Sequence, residues 1–195
     1  MLKTTANDLS VVDVFAFVAR PVILDYFPPN SCIQSTHIAI ECLKAFGMEA
    51  QPIAVKWMVL NEARKVAHVG GVVGKERDHL RKLNPDWHTK QEGGWAGHLI
   101  AVAPGFMIDA SFDQANNPEH GLNIPPFILA VPVPPSIPLD SIAANLQLST
   151  DNGELLKVNY TPSGDQSFYF TPAWESDDIQ PAVRRIVRQM RKEIA

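Results

Sequence analysis

The sequence predicts an α+β fold in which a helix carrying a cysteine packs on an antiparallel β-sheet. Three observations predict it: helical apolar patterning opens the chain, β-compatible segments joined by tight turns fill its middle, and a strongly amphipathic stretch closes it. With 195 residues, 46% of them hydrophobic, the chain suits one globular domain over 1–195. A core of that size needs no disulfide or structural metal to hold it together.

The elements follow in order. Residues 7–26 read as a first helix, with Leu9, Val12, Phe15, Phe17 and Val18 as its apolar stripe and Asn7 or Asp8 as cap. Arg20-Pro21 interrupts the pattern and is expected to kink or end it, and Phe27-Pro28-Pro29-Asn30 forms a stiff loop. Residues 31–46 form the clearest helix, capped by Asn30 or Ser31, with Ile33, Ile40, Leu43 and Phe46 facing a core and Gly47 ending it. Residues 50–61 read as a central strand. The polar stretch 62–94 reads as an insertion of loops and short helix. It is either an active-site lid that orders on substrate or a variable loop.

Residues 97–103 and 106–110 then read as two strands turning at Pro104-Gly105, so that Ala101 to Ala103 pair with Phe106 to Ile108. The proline-rich stretch 122–139 predicts an extended surface connection with at most an edge strand around 127–131. The C-terminal part, 145–195, is expected to hold a hairpin of residues 155–161 and 167–171 and then an amphipathic helix over 176–195 using Ile179, Val183, Ile186, Val187 and Met190.

Composition narrows the function classes. A net charge of −4 with no basic patch argues against nucleic-acid binding; Lys75, Arg77, Arg81 and Lys82 cluster in the insertion but read equally as a solvated helix face. The N-terminus lacks a charged-then-apolar leader and carries Asp8 and Asp13, and no apolar run reaches bilayer-spanning length. The expectation is therefore a cytoplasmic protein with no membrane partner. The two cysteines, Cys32 and Cys42, do not make a disulfide scaffold. His68, His79 and His88 lack ligand spacing, so neither metal nor cofactor is expected.

Chemistry concentrates on Cys32, at the first turn of a strong helix. Unpaired N–H groups and the helix dipole there favour an anion, and the thiolate is the form that attacks a carbonyl carbon. His98 opens a strand after Gly93-Gly94-Trp95-Ala96-Gly97, where small residues admit a substrate. Asp109 lies across the hairpin, in an apolar strand where a carboxylate is costly without a partner. It can fix the tautomer of an imidazole acting as base. The bland readings are a buried structural thiol and a surface hairpin with incidental polar residues. Asp113 competes with Asp109 but lies beyond the strand. Cys42 reads as core, and His37 as a surface or supporting residue. Asn30 and Tyr26 are candidate donors to an oxyanion beside the Cys32 backbone N–H, and Trp95 is a candidate wall of the substrate cleft.

The segment NSCIQSTHIAIECLKAFGMEAQPIAV resembles the nucleophile helix and following strand of transglutaminase-like cysteine enzymes and arylamine N-acetyltransferases. GHLIAVAPGFMIDASF resembles their His strand, turn and Asp strand. The resemblance covers roughly residues 30–57 and 93–113 and implies a papain-like catalytic domain. Cys32 would be its nucleophile, His98 its base and later acid, and Asp109 the orienter. Pro28-Pro29-Asn30-Ser31 stands where the acetyltransferases have a glycine-rich approach, and Ile33 follows the cysteine where animal transglutaminases have Trp. The implied activity is acyl transfer through a thioester on a peptide or small-molecule acyl substrate, by a transglutaminase-like hydrolase or peptidase. Transfer to an amine is the alternative, and a third reading is an inactive binding module on the same fold.

Overall fold

The computed structural model describes residues 6–71, 79, 82, 97–134, 138, 141–150 and 153–194, with side chains from residue 11 onward. It is a mixed α+β fold with helices against a curled antiparallel sheet. The helices are α1 (Ala6–Tyr26), α2 (Cys32–Lys44), a one-turn α3 (Pro172–Glu175) and α4 (Gln180–Ile194). The strands are β1 (Gln51–Asn61), β2 (Val66–Gly70), β3 (His98–Ala103), β4 (Phe106–Asp109), β5 (Leu129–Pro132), β6 (Ala144–Ser149) and β7 (Leu155–Pro162). Their order across the sheet is β5-β4-β3-β1-β7-β6, with β2 paired to β1 beyond the start of β3, and every pairing is antiparallel.

The sheet separates two cores, because alternate residues of a strand point to opposite faces. On one face, Ala101, Ala103, Phe106 and Ile108 meet the apolar sides of α1, α2 and α4, with Phe15, Ile23, Ile38, Leu43, Ile186 and Met190 at the centre. On the other, Val55, Trp57, Ile100, Met107, Val158 and Tyr160 pack under Phe112, Leu122 and Ile124 of the connection after β4. The order of elements thus puts the N-terminus of α2 beside the start of β3.

Most expected elements are present. The hairpin register is as read, with Ala101 opposite Ile108 and Ala103 opposite Phe106. The central strand and the last helix hold, and the edge strand of the proline-rich stretch appears as β5. Helix α1 runs through Pro21 instead of stopping there. A helical proline loses one backbone hydrogen bond, and Pro21 does so on an exposed face. Part of the 62–94 insertion is a strand, β2, which extends the long β1 into a hairpin.

The C-terminal hairpin is shifted by one element. β7 pairs backwards with β6, across a turn where Gly153 adopts φ +78°, and residues Ser167–Phe170 form a 3-10 turn instead of a strand. The Asp165 carboxylate accepts from the Ser167 N–H at 2.8 Å and starts that turn, which buries Phe168 and leaves Phe170 exposed. No described helix is long and apolar enough to cross a membrane.

Candidate functional site

The sheet's second face carries an array of buried polar side chains. His98 and Asp109 are fully buried, and His98 Nε2 lies 2.7 Å from Asp109 Oδ2. The hairpin register makes this contact. Ala101 opposite Ile108 leaves Asp109 level with the beginning of β3, on the same face as His98. The carboxylate has further donors. The Tyr160 hydroxyl donates to Oδ2 at 2.7 Å, and the Ser111 backbone N–H donates to Oδ1 at 3.0 Å. Burial, and the Asp109 charge beside it, push the Tyr160 phenol well above its ordinary pKa, so it stays a donor. A buried carboxylate held from several sides in this way keeps one position.

The imidazole is fixed as firmly. Trp57 stacks on it, with ring centroids 4.1 Å apart and planes 14° from parallel. Trp57 and Tyr160 are direct partners across β1 and β7, so the ring and the phenol arrive from adjoining positions. The Gln114 side-chain amide meets His98 at Nδ1, opposite the carboxylate. Burial pulls the imidazole pKa down, but the Asp109 charge and hydrogen bond, joined by a hydrogen bond and charge from Cys32, raise it to about 9.

Cys32 is the first residue of α2 and is 8% exposed. It packs with Ile33, Ala54, Leu99 and Phe168, with Ala173 and Trp174 at the edge. Three sets of bonds seat it. The Thr36 hydroxyl donates to the Leu99 carbonyl at 2.8 Å, fastening α2 to the residue after His98. The Ser31 hydroxyl donates to the Pro28 carbonyl at 2.6 Å and closes the turn before the helix, so Ser31 does not cap α2 with its side chain. The buried Arg20 of α1 reaches the Pro29 carbonyl at 3.3 Å and the Ser35 hydroxyl at 3.4 Å. Its guanidinium also lies 2.5 Å from Asp113 Oδ1. Asp113, the rival carboxylate of the sequence reading, is thus held by Arg20, while Asp109 holds the imidazole. Burial raises the Asp113 pKa against the pull of the Arg20 charge.

The remaining candidates fall elsewhere. Asn30 is exposed on the turn before Cys32. Tyr26, 44% exposed, lies against Arg185 of α4. Trp95 is outside the described residues, as is His88. His37 stacks on Trp174 at 4.7 Å, and burial lowers its pKa. Cys42 is fully buried among α1, α2 and α4, and burial pushes its thiol upward. Among the described residues no cluster of His, Cys, Asp and Glu is arranged to hold a metal ion.

Three residues of this array escaped the sequence reading. Tyr160 and Trp57 had a signal in strand alternation, since Leu156, Val158 and Tyr160 alternate inward along one strand and Val55, Trp57 and Val59 along another, on the same face of the sheet. Gln114 sits in a short turn where spacing says nothing about direction. Comparison with family models, with curated proteins and with solved structures finds no match for this chain.

Proposed function

We propose that the protein is a cysteine-nucleophile acyl-transfer enzyme working through a thioester on Cys32, most simply a hydrolase of amide or related bonds. The observation that carries this reading is the buried His98–Asp109 pair, with Nε2 committed to the carboxylate at 2.7 Å. That commitment leaves Nδ1 as the nitrogen that exchanges a proton. The two-donor support of Asp109 by Tyr160 and Ser111 suits a carboxylate whose task is to orient a base.

In the proposed reaction, His98 Nδ1 takes the proton of Cys32, or the two rest as a thiolate–imidazolium pair, and the sulfur attacks the substrate carbonyl carbon, forming a C–S bond. The oxyanion develops near the Cys32 backbone N–H, a helix-start donor with no partner inside its own helix. His98 returns the proton to the leaving amine or alcohol as the carbon–leaving-group bond breaks. Water then attacks the thioester, gives its proton to His98, and the C–S bond breaks to release the acid. Asp109 stabilises the imidazolium in both halves.

The apolar surroundings of Cys32, with Phe168 in the same buried cluster and Trp174 at its edge, favour a second outcome in which an amine replaces water. Intact-protein mass spectrometry after mixing with an aryl acetate tests the reading. A hydroxylamine-labile acetyl group on Cys32 is expected, absent in Cys32→Ser. Faster loss of the acetyl group on adding an arylamine or alkylamine would select transfer over hydrolysis. No acetylation, or acetylation unchanged by Cys32→Ser, would overturn both.

A further inference from the structure

Gln114 meets His98 at Nδ1, the ring nitrogen that Asp109 does not hold, where Cys32 also reaches the ring. It lies in the 3-10 turn Phe112–Ala115, entered directly after β4. That turn is held on both sides. Phe112 is fully buried against the core, and Asp113 is paired with the buried Arg20. The Gln114 backbone N–H also donates to the Ser111 carbonyl at 3.0 Å. With the backbone so placed, the half-buried side chain delivers its amide to Nδ1. The other ionisable groups on the ring are Asp109 from β4 with Tyr160 behind it from β7, and Cys32 from α2.

An amide is suited to hold this nitrogen in either protonation state. A neutral ring with its proton on Nε2 accepts an N–H from Gln114 at Nδ1. An imidazolium donates its Nδ1–H to the amide oxygen after a half-turn of the amide. In both states Gln114 shares the ring with Cys32, whose side chain also hydrogen-bonds the imidazole, so the amide and the sulfur draw on the same nitrogen. We propose that Gln114 is a positioning residue that competes with Cys32 for His98 Nδ1, an internal cap on the base that an acyl substrate must displace. This rests on the acyl-transfer reading above and adds to it a resting state in which the nucleophile is restrained.

The test is the rate of iodoacetamide alkylation of Cys32 at pH 7, followed by peptide mapping on the full chain, in wild type, Gln114→Met, His98→Asn and the double variant. Methionine keeps the length of glutamine and removes both polar ends. Loss of one competing hydrogen bond should speed alkylation roughly threefold to tenfold in Gln114→Met, and give no gain when His98 is also replaced. Equal or slower alkylation in Gln114→Met would overturn the inference. So would an equal gain in the double variant, which would mean that Gln114 only shields the sulfur. Wild-type speed in His98→Asn would overturn the acyl-transfer reading itself, and the inference with it. If His98→Asn does not fold, histidine ¹⁵N spectra of wild type and Gln114→Met decide. A shifted Nδ1 resonance for the Asp109-bonded ring is expected, and an unchanged one overturns the inference.

Discussion

Cys32 and Cys42 are the same chemical group on the same helix, yet they stand in opposite surroundings. Cys42 faces inward in the last turn of α2, fully buried against α1 and α4, where burial, helped by the Glu41 charge, pushes its thiol upward. Cys32 stands at the helix start, beside β3, where its side chain contributes to the rise of the His98 pKa. The difference is one of address. The buried last turn of the helix offers hydrocarbon, while its mouth offers unpaired N–H groups and, because Thr36 is bonded to Leu99, the end of the strand that carries His98. Residue type therefore says little about a thiol until its position in the element is known.

The sharpest way to break the comparison is to remove each sulfur. Cys32→Ala should abolish acylation by an aryl ester while leaving the melting temperature within a few degrees of wild type, measured by mass spectrometry and calorimetry. Next in size, Asp109→Asn should make Cys32 as inert as its neighbour. The amide presents the wrong groups to Nε2 and to the Tyr160 hydroxyl, and acylation should fall about a thousandfold. Wild-type acylation in that variant would place the carboxylate outside the chemistry.

A smaller effect concerns pH. The folded His98 pKa, about 9, lies above the ordinary histidine value of 6.5. Its stabilisation is therefore fully present below about pH 6.5 and is lost as pH rises through about 9. Denaturant melts of wild type and Asp109→Asn across this range should show a steeper loss in wild type, and parallel curves would contradict the assignment. Smallest of all, Cys42→Ala should cost about 1 kcal/mol by leaving a small cavity and should leave acylation intact.

The same contrast explains what the sequence made legible. Local patterns exposed the thiol, the imidazole and the carboxylate, because each sits at a describable place: a helix start, a strand start, and a position fixed by a two-residue turn. The hairpin register followed from Pro104-Gly105 and the apolar residues flanking it. Tyr160 and Trp57 were hidden because they come from strands distant in sequence, and only the ladder between β1 and β7 makes them neighbours. Arg20 read as a helix interruption, since nothing local reveals that its guanidinium finds Asp113, Pro29 and Ser35. β6 was missed because Asn145, Gln147 and Ser149 give it a polar outer face and only Ala144, Leu146 and Leu148 mark the inner one. Ser167–Phe170 misled in the other direction. Its aromatic residues favour a strand, but the Asp165 cap turns the chain and one ring alone is buried.

The most direct measurement is a side-by-side time course of alkylation at the two cysteines of the native protein at pH 7, resolved by peptide mapping. Cys32 should react at least about tenfold faster than Cys42, which should be modified only when denaturant opens the helical core. Alkylation of both at one slow rate, set by unfolding, would contradict the assignment of Cys32 as a nucleophile.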